Sequence, residues 1–116
     1  MKLIVNEHHH CDLIEIVGRI DSYSAPQIET VLDDLISDDH YNIIVDLQNV
    51  NFISSSGMLT FVKIQRKFKQ QNKGEVIFIR VPGLIYRSFE IAGFNTIFKF
   101  FDAFETAQAN FSSPEE

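Results

Sequence analysis

The sequence predicts an α/β fold: a mixed, mostly parallel central sheet with an antiparallel N-terminal edge hairpin and about four helices. Three observations carry this. From residue 24 onward, β-branched apolar runs alternate with segments of helical period, the order that right-handed crossovers between parallel strands produce. Two short strand-like runs open the chain with only HHHC between them, too little for a crossover and enough for a hairpin. The 116 residues contain no repeat, low-complexity tract or linker, so 1–116 reads as a single domain long enough to bury a core.

Each element has a local reason. Leu3–Glu7 and Asp12–Val17 are the hairpin strands. Ser24 to Gln27 has the S-x-x-Q form of a capping box, with Pro26 in the first turn where a missing N–H costs little. Ile28, Val31, Leu32, Leu35 and Ile36 then recur at helical spacing, with Glu29, Asp33 and Asp34 facing outward. Tyr41–Leu47 is a nearly continuous β-branched run, as in a strand covered on both faces. QNVNFI, residues 48–53, reads as a loop into a helix whose apolar stripe is Met58, Phe61, Val62 and Phe68, running to about Asn72 and stopped by Lys73-Gly74. Glu75–Val81 is a buried strand. Pro82-Gly83 turns the chain into a short helix, Leu84–Ala92, which Gly93 ends. Ile97–Phe101 is the last strand, Asp102 caps a helix from Ala103 to about Phe111, and the polar tail (111–116) is expected to fray.

Composition removes several function classes. The formal net charge of -6 disfavours nucleic acid, whose phosphates call for a basic field. Cys11 is the single cysteine, which excludes an internal disulfide and fits a reducing compartment. No run approaches the roughly 18 apolar residues of a membrane span. MKLIVNE is too short an apolar start for a signal peptide, so a soluble cytoplasmic domain is expected.

The residues with chemistry to offer are few. SSSG, Ser54–Gly57, falls after a central strand and at a helix N-terminus, where ligand and partner sites of open α/β sheets lie and where backbone N–H groups favour an anion. The same serines could serve only as a helix cap and turn. A nucleophile elbow would need G-x-S-x-G, and a serine nucleophile a histidine base; the histidines, His8, His9, His10 and His40, are not placed beside this loop by anything in the sequence. There is no GxxxxGK[ST] and no GxGxxG. HHHC offers four metal donors in a row, but adjacent side chains on a strand or tight turn diverge, so a solvated turn and no metal are expected. Lys63, Arg66, Lys67, Lys69 and Lys73 are half of the ten Lys and Arg. They form a cationic face that either docks an acidic partner or is merely solvated. Phe94, Phe98, Phe100, Phe101 and Phe104 read as mostly core, with room for an exposed one to meet a partner.

At GRIDSYSAP, IIVDLQNVNFISSSGMLTF and RSFEIAGF, taken together and in this order, the sequence resembles a STAS domain, over about Leu3 to Ala109. More narrowly, it is similar to the bacterial anti-sigma-factor antagonists. In that family the serine of a D-S-[S/T]-G motif is phosphorylated by a partner kinase, often itself the anti-sigma factor. The unphosphorylated antagonist binds that partner, the phosphorylated one does not, and a phosphatase resets the switch. The resemblance places the phosphoacceptor at Ser55, with Ser54 and Ser56 as alternatives, and Ser54 stands where the family keeps its aspartate. It implies a partner surface of Asp21, Ser22, Ser54, Ser56, Gly57 and Met58, joined by Lys63, Arg66 and Lys67 of the cationic face. It also sets Asp46 on the strand leading to the same loop. The implied protein is a non-enzymatic, cytoplasmic, partner-switching regulator of transcription. It needs no cofactor, binds a serine kinase/anti-sigma factor and a cognate serine phosphatase, and is a monomer or a weak dimer. Two other roles fit the same residues: a STAS subunit of another signalling pathway or of a lipid or anion transporter, and, more remotely, a small serine hydrolase.

Overall fold

The computed structural model describes residues 1–111. The chain runs β1 (Lys2–His8), β2 (Cys11–Ile20), α1 (Ala25–Ser37), β3 (Asn42–Ile53), α2 (Ser55–Gln71), β4 (Glu75–Ile79), α3 (Gly83–Ala92), β5 (Lys99–Phe101) and α4 (Phe104–Phe111). The five strands form one sheet in the order β1-β2-β3-β4-β5. β1 pairs antiparallel with β2 around a two-residue turn, His9-His10, and every later pair is parallel. This is the predicted α/β architecture, with four helices and an antiparallel edge.

Alternate residues of the inner strands face two helical layers, which is why their sequences read as unbroken apolar runs. Ile14 and Ile16, Ile43, Val45 and Leu47, and Val76 and Phe78 face the main core with α1, α2 and α3. Leu13, Ile44, Ile77 and Ile79 face a smaller cluster closed by Ala107 of α4, with Phe104 and Phe111 packed against it. Phe78 is the aromatic centre, in edge or tilted contact with Phe61, Phe89 and Phe98 and stacked on Phe100.

Several expectations need correction. Residues 48–53 are strand, not loop: β3 continues to Ile53 alongside β2. The pairing steps from Glu15↔Asp46 to Val17↔Asn49, then from Gly18↔Val50 to Arg19↔Phe52, so β3 carries an extra residue at each step. Two bulges break the period of 2 and hide the strand in its sequence. The capping box at Ser24 does not form, since Ser24 is already helical and its side chain caps nothing. Asp21 takes that work: its Oδ1 accepts the backbone N–H groups of Tyr23 and Ser24, both at 3.0 Å. α2 ends one residue early, with Asn72 in the left-handed cap conformation at φ 52°. β4 stops at Ile79, and β5 is three residues rather than five. The last helix ends at Phe111 as expected, so of the tail (111–116) Phe111 is helical; the expected fraying of 112–116 lies outside the described residues.

Candidate functional site

β2 and β3 lie side by side and parallel, so the segments that leave their carboxyl ends are neighbours. The Ser54 N–H donates to the Ile20 carbonyl at 2.8 Å, which ties the serine loop to the start of the Asp21–Ser24 turn. Gly57 makes the approach possible. A Cβ built there would lie 2.6 Å from Ile20 Cγ2 and 3.1 Å from the Ile20 carbonyl oxygen, so a side chain would push the first turn of α2 off β2.

The three hydroxyls divide their roles. Ser54 is the helix cap: its backbone is extended and its Oγ accepts the Gly57 N–H at 3.1 Å. Ser56 Oγ lies 3.0 Å from Ser54 Oγ and shares a hydrogen bond with it. Ser55 is exposed, and among the described residues its hydroxyl has no hydrogen-bond partner in the protein. It sits at the first position of a 17-residue helix, where unpaired N–H groups and the positive end of the helix dipole converge.

Asp21 is next to this loop, half-buried and engaged in its own turn. The hydrogen bond from the Ser24 N–H, with others from Ser24 Oγ, Tyr23 and Arg19, holds its carboxyl below the ordinary aspartate range. It therefore stays charged at neutral pH, one residue after the Ile20 carbonyl to which Ser54 is bonded. Ser22 is exposed in the same turn, and Met58 is buried behind the serines. Ser55 faces an open groove of about 500 Å³ walled by Phe52, Met58, Ser88 and Ile91. Tyr23 (96% exposed), Leu84 (84%) and Ile91 (77%) are the most exposed large apolar residues described. Leu84, Ser88 and Ile91 lie on one face of α3 by their spacing.

On α2, Lys63, Arg66 and Lys67 are all exposed. At about 100° per residue, Ser55, Leu59, Lys63 and Arg66 fall within about 80° of one another, and Lys67 borders them. One continuous stripe thus runs from Ser55 through half-exposed Leu59 to the cations, which begin roughly 12 Å up the helix. No ion pair to α1 holds these cations among the described residues.

Two sequence expectations about this site change. Asp46 is not beside the serines. It lies seven residues before Ile53, roughly 20 Å along the strand, buried on the α4 side of the sheet. There it is ion-paired to Arg80 and accepts the Gln48 N–H. The exposed aromatic surface is also elsewhere: Phe98 is buried, and Phe94, Phe100, Phe101 and Phe104 are half-buried. Tyr23, Leu84 and Ile91 carry that exposure instead. The signal for Leu84 and Ile91 was present, an apolar pair seven apart on a helix with two other buried anchors, Ile85 and Phe89. The histidines are at the far end of the sheet. His40 pairs with Asp12, at the beginning of β2, roughly 30 Å from the serine loop by strand length.

The sequence profile of the STAS domain family matches residues 2–107. An anti-sigma-B factor antagonist of Staphylococcus aureus (strain NCTC 8325 / PS 47) is 34% identical over 80 residues, 69% of this chain and 73% of the relative. The crystal structure of an anti-sigma factor antagonist from Mycobacterium paratuberculosis superposes with a TM-score of 0.80 at 19% identity, covering 95% of this chain and 92% of that one. The Bacillus cell fate determinant SpoIIAA in its phosphorylated form superposes with a TM-score of 0.73 at 17% identity, covering 96% and 100%.

Proposed function

The chain belongs to the STAS domain family, and from that premise we propose that it is an anti-sigma-factor antagonist switched by phosphorylation of Ser55. In this reading the unphosphorylated protein binds an anti-sigma factor that is also a serine kinase, in the cytoplasm, through the groove and the α2 stripe. The kinase phosphorylates Ser55, the complex separates, and a phosphatase returns the protein to its binding state. It is a protein-binding module and not an enzyme.

The observation that carries this is the free Ser55 hydroxyl, exposed at a helix start and facing an apolar-walled groove, while its two neighbours are bonded to each other. A phosphate adds about -1.5 to -2 charge at pH 7. On the protein's own side the helix N-terminus tolerates that charge. On the partner's side, it must be desolvated against Phe52 and Ile91 and meets the Asp21 carboxylate, so the docked state loses most. The non-enzymatic reading is supported by the separation of the histidines from the serine loop, which leaves Ser55 without a neighbouring imidazole base.

Peptide mass spectrometry of the protein isolated from its host tests the acceptor. A single phosphate on the peptide containing Ser54–Ser56, lost in Ser55→Ala, is expected. A phosphate that persists in Ser55→Ala would move the acceptor to another residue.

A further inference from the structure

At the end of the sheet away from the serine loop, side chains from three separate elements converge. Glu7 comes from β1, Asp12 from β2 and His40 from the α1–β3 connection, and their donor atoms all lie within 4.8 Å of one another. Asp12 is buried, and its Oδ2 is 2.7 Å from His40 Nδ1. Asp12 and His40 border a cleft of about 280 Å³, further lined by His8, His10, Asp39 and Asn42, and Glu7 stands beside them. We propose that Glu7, Asp12 and His40 bind a divalent transition-metal ion, zinc in the first instance, with water completing the shell.

The donor chemistry selects the class. Two carboxylate oxygens and one imidazole nitrogen suit zinc and its neighbours, whereas calcium and magnesium favour all-oxygen shells. The local charge points the same way: the carboxylates of Asp12 and Asp39 line the cleft, with that of Glu7 beside Asp12. The geometry is near a tetrahedral shell, in which ligand atoms at bonds of about 2.1 Å stand about 3.4 Å apart. Asp12 and His40 need to open slightly and the exposed Glu7 side chain to swing inward. The HHHC run is not the source of this site. The His8 ring packs on Phe104 at 4.6 Å, and the His9 and His10 rings lie against each other at 3.7 Å. The bound ion would tie the opening hairpin to the α1–β3 connection, far from the proposed phosphorylation switch.

Untagged, chelator-treated protein titrated with zinc chloride by calorimetry tests this, with cobalt(II) absorption as the report on coordination. One equivalent of zinc with a raised melting temperature, and cobalt bands of tetrahedral intensity, are expected. Glu7→Gln and His40→Gln should each weaken zinc by about tenfold or more, and His9→Gln should not weaken it. Glu7 is exposed, so its variant keeps the metal-free melting temperature and separates lost ligation from lost folding. Absence of zinc binding, binding that survives Glu7→Gln, or binding that falls with His9→Gln would overturn the proposal.

Discussion

On the resemblance to the anti-sigma-factor antagonists, Ser54 stands where that family keeps an aspartate, and the structure gives the replacement a specific physical content. Aspartate and serine are near-equal helix caps, because each offers a side-chain oxygen to the N–H groups of the first turn. The chain keeps the cap, through Ser54 Oγ and the Gly57 N–H, and drops a fixed negative charge beside Ser55. The resemblance gave Ser54 only as the residue standing in for that aspartate; the bond to Gly57 gives it a structural role. Ser54→Ala is expected to lose about 0.5–2 kcal/mol of stability, a drop of several degrees in thermal melting, while Ser55→Ala melts with the parent. Equal melting of both variants would remove the distinction between cap and acceptor. Gly57 follows from sequence more directly, as a position where backbone must approach closely. Its neighbour is Ile20, with an added Cβ at 2.6 Å from that side chain. Gly57→Val is therefore expected to destabilise by about 1–3 kcal/mol, read as a shifted urea midpoint at unchanged slope.

Among the elements, α2 joins the two halves of the proposed mechanism, since one exposed stripe holds Ser55, Leu59, Lys63 and Arg66. The inner face of the same helix is anchored by Phe61, Val62 and Phe68. The exposed stripe proposed for docking and the buried anchors are thereby different residues of one helix. Lys63→Glu with Lys67→Glu should leave the melting temperature nearly unchanged, as exposed charges are worth roughly 0–1 kcal/mol each. Association with the partner should slow and lose its salt dependence, measured by stopped-flow mixing at several ionic strengths. An unaltered association rate would make this face merely solvated. Periodicity exposed α2 because its polar and apolar faces differ. It concealed the second half of β3, where two bulges put Gln48, Asn49, Asn51 and Phe52 outward and only Val50 and Ile53 into the core. Asp46 was misplaced for the same reason: with the strand ended at Leu47 it seemed to adjoin the serines, whereas six further strand residues separate it from them.

Over the whole molecule, the fold was legible because strands buried on both faces are continuous apolar runs and each is followed by a helix with one apolar stripe. The parallel pairing and the antiparallel edge followed from the alternation of strands with helices and from the short opening connection. Less legible was everything that depends on where two distant segments meet: Asp21 beside Ser54, Arg80 on Asp46, His40 on Asp12. Spacing along one chain carries no signal for these pairs. The resulting molecule has two chemically distinct ends, an apolar and hydroxyl-bearing one after the parallel strands and a histidine- and carboxylate-bearing one before them. The central claim concerns the first. The most direct measurement is capture of the proposed serine-kinase partner from host lysate on immobilised wild-type, Ser55→Ala and Ser55→Glu protein, with thermal melts of all three. A carboxylate at a helix N-terminus is favourable by roughly 0.3–1 kcal/mol, so Ser55→Glu should melt no lower than the parent. The account predicts that wild type and Ser55→Ala retain the same kinase and that Ser55→Glu, fully folded, does not. Equal capture by Ser55→Ala and Ser55→Glu, or loss of capture only in step with loss of stability, would contradict it.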